Sequence, residues 1–255
     1  MMSGRKLTGM VIMGTILVAA VALFFSRVVV LPYEAVPLSS LEEADALGAV
    51  LAVPGLKDVP NVGAGEPRVL LIEFSDFQCP YCRVGAANMH EVMGAHGQVV
   101  RVWFVNTPLP FHDRAGDAAR AALAAHRQGK FFAYAEQLFE HQDALDDASL
   151  SGYAADVGLD IVRFEDDRGG EAVAGALERD RRLAGLARVS GTPIFILNGR
   201  VIEGAKPPEA FAEVIEEEVR KVEAELARGV TLRDALKTII VANAGEAFVK
   251  DILGW

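Results

Sequence analysis

The stretch Val69-Leu70-Leu71-Ile72-Glu73-Phe74-Ser75-Asp76-Phe77-Gln78-Cys79-Pro80-Tyr81-Cys82 decides how this chain folds. Residues 69–74 form an almost continuous apolar run, which is typical of a strand buried on both faces of a sheet. Pro80 favours a helix start, because the first helical position does not need the amide hydrogen that proline lacks. We therefore predict a helix over residues 79–93. A second apolar run at residues 99–105 completes the strand-helix-strand opening of an α/β domain.

The C-terminal side of this unit is predicted to be mostly helical. Residues 113–189 contain several helical patterns, which we interpret as a helical insertion. Asn198-Gly199 lies between two short apolar runs and is the strongest short signal for a β-hairpin. An amphipathic helix is predicted over residues 208–227. Residues 229–255 form a C-terminal helical extension that is expected to break near Gly245.

Two segments precede the domain, which is predicted to span residues 67–228. Residues 32–66 contain several prolines and a Gly-Ala-Gly tripeptide, which indicate a linker. Residues 1–31 include an uncharged apolar run long enough to cross a bilayer, and Arg5-Lys6 before it favours a cytoplasmic N-terminus. We predict one N-terminal transmembrane helix that exports the domain. A signal peptide cleaved near Ala20-Val21-Ala22 would export it as well, and a buried core helix is the remaining alternative.

Composition and charge exclude several classes of function. The chain has 255 residues, of which 51% are hydrophobic, so it can build a sizeable core. Its formal net charge is −10 and no basic patch is visible, so nucleic-acid binding is not expected. The two cysteines are too few for a disulfide scaffold and cannot alone complete a four-ligand zinc site. No metal or organic cofactor is therefore expected.

Cys79 and Cys82 are the residues most suited to chemistry. Cys79 ends a strand-to-helix turn, where free amide donors and the helix dipole stabilise a thiolate, the form that attacks disulfides. Cys82 lies one turn into the helix, where it is shielded and suited to resolve a mixed disulfide. The alternatives are an inert pair or a structural disulfide, whose very short loop would stabilise the fold little.

Two further sites are predicted near these cysteines. Glu73 lies inside the apolar strand, where an ionised carboxylate is costly to bury, so we expect it to accept a proton from Cys82. The alternative is a solvent-facing carboxylate at the sheet edge. Thr192-Pro193 precedes the second group of strands, and a cis peptide there would leave the Thr192 backbone free to pair with an extended substrate chain.

Three ordered motifs resemble the DsbA-like branch of the thioredoxin superfamily, from residue 69 to about residue 227. They are residues 73–82, then Pro108-Leu109-Pro110-Phe111-His112, and then residues 191–199 with Gly191-Thr192-Pro193. The resemblance implies a thioredoxin fold with a helical insertion, and therefore an α/β fold class for the domain behind the transmembrane helix.

The resemblance also implies roles for individual residues. Cys79 would be the nucleophile and Cys82 the resolving cysteine, and Glu73 matches the buried acid of the family. Thr192 would precede a cis Pro193 packed against the disulfide, and Pro80, Tyr81, Thr192 and Pro193 would contact the substrate. His112 belongs to a matched motif, but we interpret it as a structural loop histidine.

The sequence differs from the family pattern in two places, and each difference limits which family properties can be expected of this chain. The residues between the cysteines are Pro80-Tyr81, whereas the best-known oxidants have Pro-His, whose histidine helps to hold the thiolate. This difference predicts a weaker oxidant. The tail after Gly229 lies outside the family core.

These observations predict an exported dithiol oxidase that introduces disulfides into reduced or misoxidised client proteins. The resemblance implies a membrane-bound partner that reoxidises it, and a bacterial inner-membrane location with the catalytic domain in the periplasm or outside the cell. The domain would be soluble in the periplasm if the N-terminal segment is cleaved. A reductase or isomerase using the same cysteines is one alternative. A periplasmic chaperone, or a module that binds a metal ion between the thiolates with His90 or His96, is another.

Overall fold

The computed structural model describes residues 51–255. The predicted transmembrane helix and most of the predicted linker lie outside the described residues. Among the helices of the described part, none is both long and apolar enough to cross a membrane.

A five-stranded mixed sheet forms the centre of the domain, in the order β1-β3-β2-β4-β5. β2 and β3 are parallel, whereas the pairs β1–β3, β2–β4 and β4–β5 are antiparallel. Every residue of β2 and β3 is buried, as the apolar runs predict. The strands are β1 Asn61–Gly63, β2 Val69–Ser75, β3 Val100–Asn106, β4 Ile194–Leu197 and β5 Arg200–Glu203.

Eight α-helices surround this sheet in the described part of the chain. α1 follows β2 directly, five helices lie between β3 and β4, and two follow β5. They are α1 Pro80–His96, α2 Ala115–His126, α3 Phe131–Glu140, α4 Asp147–Asp156, α5 Ile161–Gly169, α6 Glu171–Leu186, α7 Pro208–Ala227 and α8 Leu232–Phe248. A short 3-10 helix at Pro54–Leu56 and a π-helical turn at Val249–Leu253 complete the order.

The two faces of the sheet face different cores, because successive side chains of a strand point to opposite sides. Leu71 packs into a core with both cysteines and the helical segment between β3 and β4. Leu70 and Ile72 pack into a second core with α8 and the π-helical turn. The redox cysteines therefore lie on the side covered by the helical insertion.

Several local predictions agree with the structure. β4 and β5 form the expected hairpin, in which Asn198 and Gly199 adopt φ angles of 46° and 89°. These left-handed conformations suit asparagine and glycine. The chain also breaks at Gly245, whose φ is 85°.

Residues 51–66 differ from a plain linker. They contain the 3-10 helix and β1, which pairs antiparallel with β3 at the sheet edge. The Arg101 guanidinium on β3 donates to Asn61 Oδ1 and to the Gly63 carbonyl. A strand of three residues carries too short a pattern for sequence periodicity to reveal it.

The C-terminal residues pack against the same N-terminal segment. Gly55 lies so close to the backbone of Ile252 that a Cβ atom there would overlap the Ile252 carbonyl. Trp255 Nε1 donates to the Ala52 carbonyl at 3.1 Å. Residues 51–56 and the chain end therefore form one structural unit on the second core.

Candidate functional site

The site is built at the turn where β2 passes into α1. Cys79 is the N-cap of α1, with an extended backbone at φ −77° and ψ 121°, and Pro80 occupies the first helical turn. The Cys79 carbonyl accepts hydrogen bonds from the Cys82 and Arg83 amides. The positive end of the helix dipole therefore lies at Cys79.

The Thr192-Pro193 peptide lies against the first cysteine. This peptide bond is cis. The Cys79 thiol donates to the Thr192 carbonyl at 3.6 Å, and Pro193 is buried. Gly85 on α1 lets the proline ring approach the helix closely, because a Cβ atom at Gly85 would lie 3.2 Å from Pro193 Cγ. Two segments far apart in the sequence are thus brought together.

Cys82 lies deeper than Cys79 and is fully buried. Its Sγ accepts a hydrogen bond from the Asp76 amide at 3.4 Å. Burial raises the pKa of the Cys82 thiol well above its usual range, and contacts with Ser75, Thr192 and Asp76 partly oppose this rise. Both cysteines are free thiols in the structure.

Glu73 is buried in the central strand, with 4% of its surface exposed. Burial raises the pKa of the Glu73 carboxyl from 4.5 to about 7, although a contact with the Ser75 hydroxyl opposes the rise. Ser75 lies two residues after Glu73 on the same face of β2, and it is a neighbour of both Glu73 and Cys82. The structure excludes a solvent-facing Glu73 at the sheet edge.

An apolar cavity of about 260 Å³ lies beside Glu73. Its walls come from β2, β3, α1 and α3 and include Met89, Phe104 and Phe132. Glu73 Oε1 is buried and makes no hydrogen bond to any of the described residues. The carboxyl therefore lies in surroundings that favour its neutral form.

Gln142 contacts the active-site turn but was not predicted from the sequence. It follows α3 and donates its side-chain amide to the Phe77 carbonyl at 2.7 Å and to the Cys79 carbonyl at 2.9 Å. The helical insertion is thereby tied to the turn that carries Cys79. No local pattern marks a glutamine in a loop as a partner of residues more than sixty positions away.

The loop after β3 is also joined to this turn. Gln78 Nε2 donates to Asp113 Oδ1 at 2.8 Å, and the Arg114 amide donates to Gln78 Oε1 at 2.7 Å. His112 Nδ1 lies 2.8 Å from Asp76 Oδ2, so this histidine belongs to the surroundings of the site. The motif that contains His112 is visible in the sequence, whereas its contact with Asp76 is not.

Aromatic side chains are exposed on the same side of the domain. Tyr81, between the cysteines, is 68% exposed, and Phe111, in the loop joined to the active-site turn, is 75% exposed. Exposed apolar surface of this kind is suited to contact with another polypeptide. Across residues 51–255, no group of three metal-ligating side chains is positioned to hold an ion.

The chain is similar to known thioredoxin-like proteins. The family model described as DSBA-like thioredoxin domain matches residues 70–216. A thioredoxin-like oxidoreductase from Silicibacter pomeroyi DSS-3 is 26% identical with a TM-score of 0.59, covering 69% of this chain and 95% of that one. Oxidised BdbD from Bacillus subtilis is 25% identical with a TM-score of 0.58, covering 68% and 98%. A periplasmic thioredoxin-like protein from Salmonella enterica serovar Typhimurium is 26% identical with a TM-score of 0.57, covering 64% and 91%.

Curated relatives match over only part of their length. The Na(+)/H(+) antiporter NhaA of Herminiimonas arsenicoxydans is 32% identical over 176 residues, which are 69% of this chain and 28% of the relative. NhaA 3 of Salinispora tropica is 36% identical over 166 residues, or 65% and 26%. The chain thus spans about a quarter of the length of these relatives.

Proposed function

Because the chain belongs to the DSBA-like thioredoxin domain family, a family of thiol:disulfide oxidoreductases, we propose that it is an exported dithiol oxidase. In this role it donates a Cys79–Cys82 disulfide to reduced or misoxidised client proteins. The observation that carries the proposal is the placement of Cys79 at the N-cap of α1, beside the Thr192 carbonyl and in front of the buried Cys82.

The reaction proceeds by two thiol-disulfide exchanges. A client thiolate attacks Cys79 Sγ, the Cys79–Cys82 bond breaks, and Cys82 leaves with the electron pair. A second client thiolate then attacks the client sulfur of the mixed disulfide and releases Cys79. The client gains one disulfide, while the pair gains two electrons and, once both thiols are protonated, two protons. Neither a metal nor an organic cofactor takes part.

Glu73 supplies the proton chemistry of the buried thiol. A carboxyl with a pKa of about 7 exchanges protons near neutral pH, where a general acid or base acts best. The Ser75 hydroxyl lies near both Glu73 and Cys82, so the carboxyl and the thiol share one neighbour. We assign Glu73 as the proton donor to Cys82 on reduction and the acceptor on reoxidation.

The client binds along the surface that surrounds Cys79. The Thr192 backbone, before Pro193, pairs with an extended client segment, and Pro80 and Tyr81 contact it from the helix side. The high exposure of Tyr81 supports this assignment. Tyr81 replaces the histidine of the strongest oxidants and has no positive charge, so it stabilises the reduced thiolate less.

The proposed location follows from the sequence and from one similar structure. Residues 1–31 anchor the chain in the bacterial inner membrane, and the domain lies in the periplasm, as does the similar protein from Salmonella enterica. Stable disulfide chemistry requires such an oxidising compartment. A membrane-bound redox partner reoxidises the pair after each turnover.

The first test is the redox equilibrium of the full-length protein, in mild detergent, against a series of glutathione buffers. We expect a reduction potential between about −240 mV, near glutathione, and about −120 mV, the value of the strongest oxidants. C79S should abolish exchange. C82S should accumulate a mixed disulfide with a client that carries a disulfide: the Cys79 thiolate attacks that disulfide, one client thiolate leaves, and no Cys82 thiol is present to displace the client from Cys79.

Each other result has a definite meaning. A potential well below that of glutathione would identify a reductase, and client rearrangement without net oxidation would identify an isomerase. A pair that never exchanges, together with client binding that survives in C79S, would contradict redox function and favour a chaperone.

A further inference from the structure

Asp76 is the first residue of the turn between β2 and α1. Its backbone amide donates to Cys82 Sγ at 3.4 Å, and its backbone carbonyl accepts from the Cys79 amide at 3.1 Å. One residue thus contacts both cysteines through its main chain. A displacement of this residue would change the surroundings of both sulfur positions.

The side chain of Asp76 holds this main chain in place. The carboxylate has no exposed surface. Its Oδ1 accepts from the Gln78 amide at 2.7 Å, and its Oδ2 accepts from the Leu109 amide at 2.7 Å. Oδ2 also lies 2.8 Å from His112 Nδ1, which acts as the donor because a carboxylate only accepts.

His112 completes the set of donors from the loop after β3. Its side chain is 17% exposed, so it lies between the buried carboxylate and solvent. A buried carboxylate that loses a hydrogen-bond donor is strongly destabilised in its position. Without His112, Asp76 would move toward other donors or water, and its amide would leave the Cys82 sulfur.

We propose that Asp76 and His112 are positioning residues for the thiol-disulfide exchange, because the His112–Asp76 contact holds the amide that donates to Cys82 Sγ. This inference rests on the proposed redox function. The donated hydrogen bond is strongest when Cys82 leaves as a thiolate, since a charged acceptor binds a donor more tightly than a neutral one. The contact therefore favours opening of the disulfide at the step in which Cys82 leaves as a thiolate.

The geometry of this contact allows a matched set of substitutions at one position. In H112N the amide nitrogen takes the place of Nδ1 and can still donate to Asp76. In H112Q the amide nitrogen lies one bond further out, near the place of Nε2. H112L removes the donor altogether. H96L, at the distant end of α1, serves as a histidine control.

The experiment measures the glutathione redox equilibrium and the rate of reduction by glutathione for the full-length variants. We expect H112L and H112Q to slow reduction by glutathione at least fivefold, while H112N and H96L stay within twofold of wild type. The equilibrium changes less, because Cys82 is a neutral thiol in the reduced pair. H112N and H112Q are both polar, so their comparison remains informative if H112L does not fold.

Two outcomes would overturn the inference. Equal rates of reduction in wild type, H112N and H112Q would show that the His112 contact does not position Cys82, while the oxidoreductase proposal would stand. A wild-type pair that fails to exchange with glutathione would remove the proposed function and this inference with it.

Discussion

At the residue scale, the surroundings of Glu73 depend on the whole sheet. The carboxyl is covered because β2 is a central strand between β3 and β4, with Phe104 and Phe195 paired on either side of Glu73. Desolvation then favours the neutral acid. The sequence indicated an unusual acid, and its pKa of about 7 follows from the tertiary structure.

The raised pKa of Glu73 predicts a pH dependence of stability. Below pH 4.5 the carboxyl is protonated in both the folded and unfolded states. Between pH 4.5 and about 7 the unfolded chain releases this proton while the folded chain retains it, so the free energy of unfolding falls as the pH rises. The loss levels off above about pH 7 and amounts to about 3 kcal/mol in total.

E73Q should remove this contribution. Relative to wild type, its free energy of unfolding should rise by up to about 3 kcal/mol between pH 4.5 and pH 8, measured by denaturant titration of the reduced protein. E91Q, on the exposed surface of α1, is the control and should follow the wild-type profile. Parallel profiles for E73Q and wild type would show that Glu73 ionises normally in the folded protein.

At the element scale, the N-terminal cap of α4 stabilises part of the helical insertion near the site. Asp146 caps α4 by accepting from the Ala148 and Ser149 amides, and its carboxylate also accepts from the Ser149 hydroxyl at 2.8 Å. The Leu150 carbonyl of α4 accepts a hydrogen bond from the buried Tyr134 hydroxyl of α3. The cap therefore stabilises α4 and its contact with α3, and Gln142 lies in the loop between these two helices.

D146A is expected to lower the free energy of unfolding by about 1 kcal/mol, because two helical amides lose their acceptor. D146N should retain most of the stability, since an asparagine oxygen caps nearly as well. Thermal and denaturant unfolding measure the difference. D143A, at a nearby exposed position outside the helix, is the control, and an equal loss in D143A would argue against a capping effect.

At the scale of the whole molecule, the sheet is covered by cores on both faces. The second core includes Leu236, Ile240, Ile252 and Leu253 from the C-terminal residues, packed with Ile72 and Phe74 of β2. β2 also carries the active-site turn at its end. The C-terminal extension thus covers the opposite face of the strand that positions the cysteines.

Removal of residues 229–255 should therefore abolish cooperative folding or lower the melting temperature severely. Each fully buried leucine or isoleucine contributes about 1.5–3 kcal/mol, and the truncation also exposes one face of the sheet. G55A provides a milder test, because its Cβ atom would overlap the Ile252 carbonyl and disturb the same contact. A truncated chain with a wild-type unfolding transition would show that the extension is a separate appendage.

The features that depend on local pattern could be predicted from the amino-acid sequence alone. Apolar runs, a helix-starting proline and Asn198-Gly199 predicted strands, helix and hairpin, because backbone preference and side-chain periodicity act within a few residues. The motifs around Cys79 and Thr192 predicted the DsbA-like family and the thioredoxin-like α/β fold, and both are confirmed. The roles assigned to the site residues stay predictions.

The features that join distant parts of the chain depend on how the chain folds and could not be predicted from local pattern. The short strand β1, the contact of His112 with Asp76, the double hydrogen bond of Gln142 and the burial of Glu73 each need partners separated widely in sequence. Such contacts form where packing brings two segments together. The sequence of one segment does not predict which other segment it will contact. The cysteines could thus be found in the sequence, whereas the groups that set their chemistry could be found only in the fold.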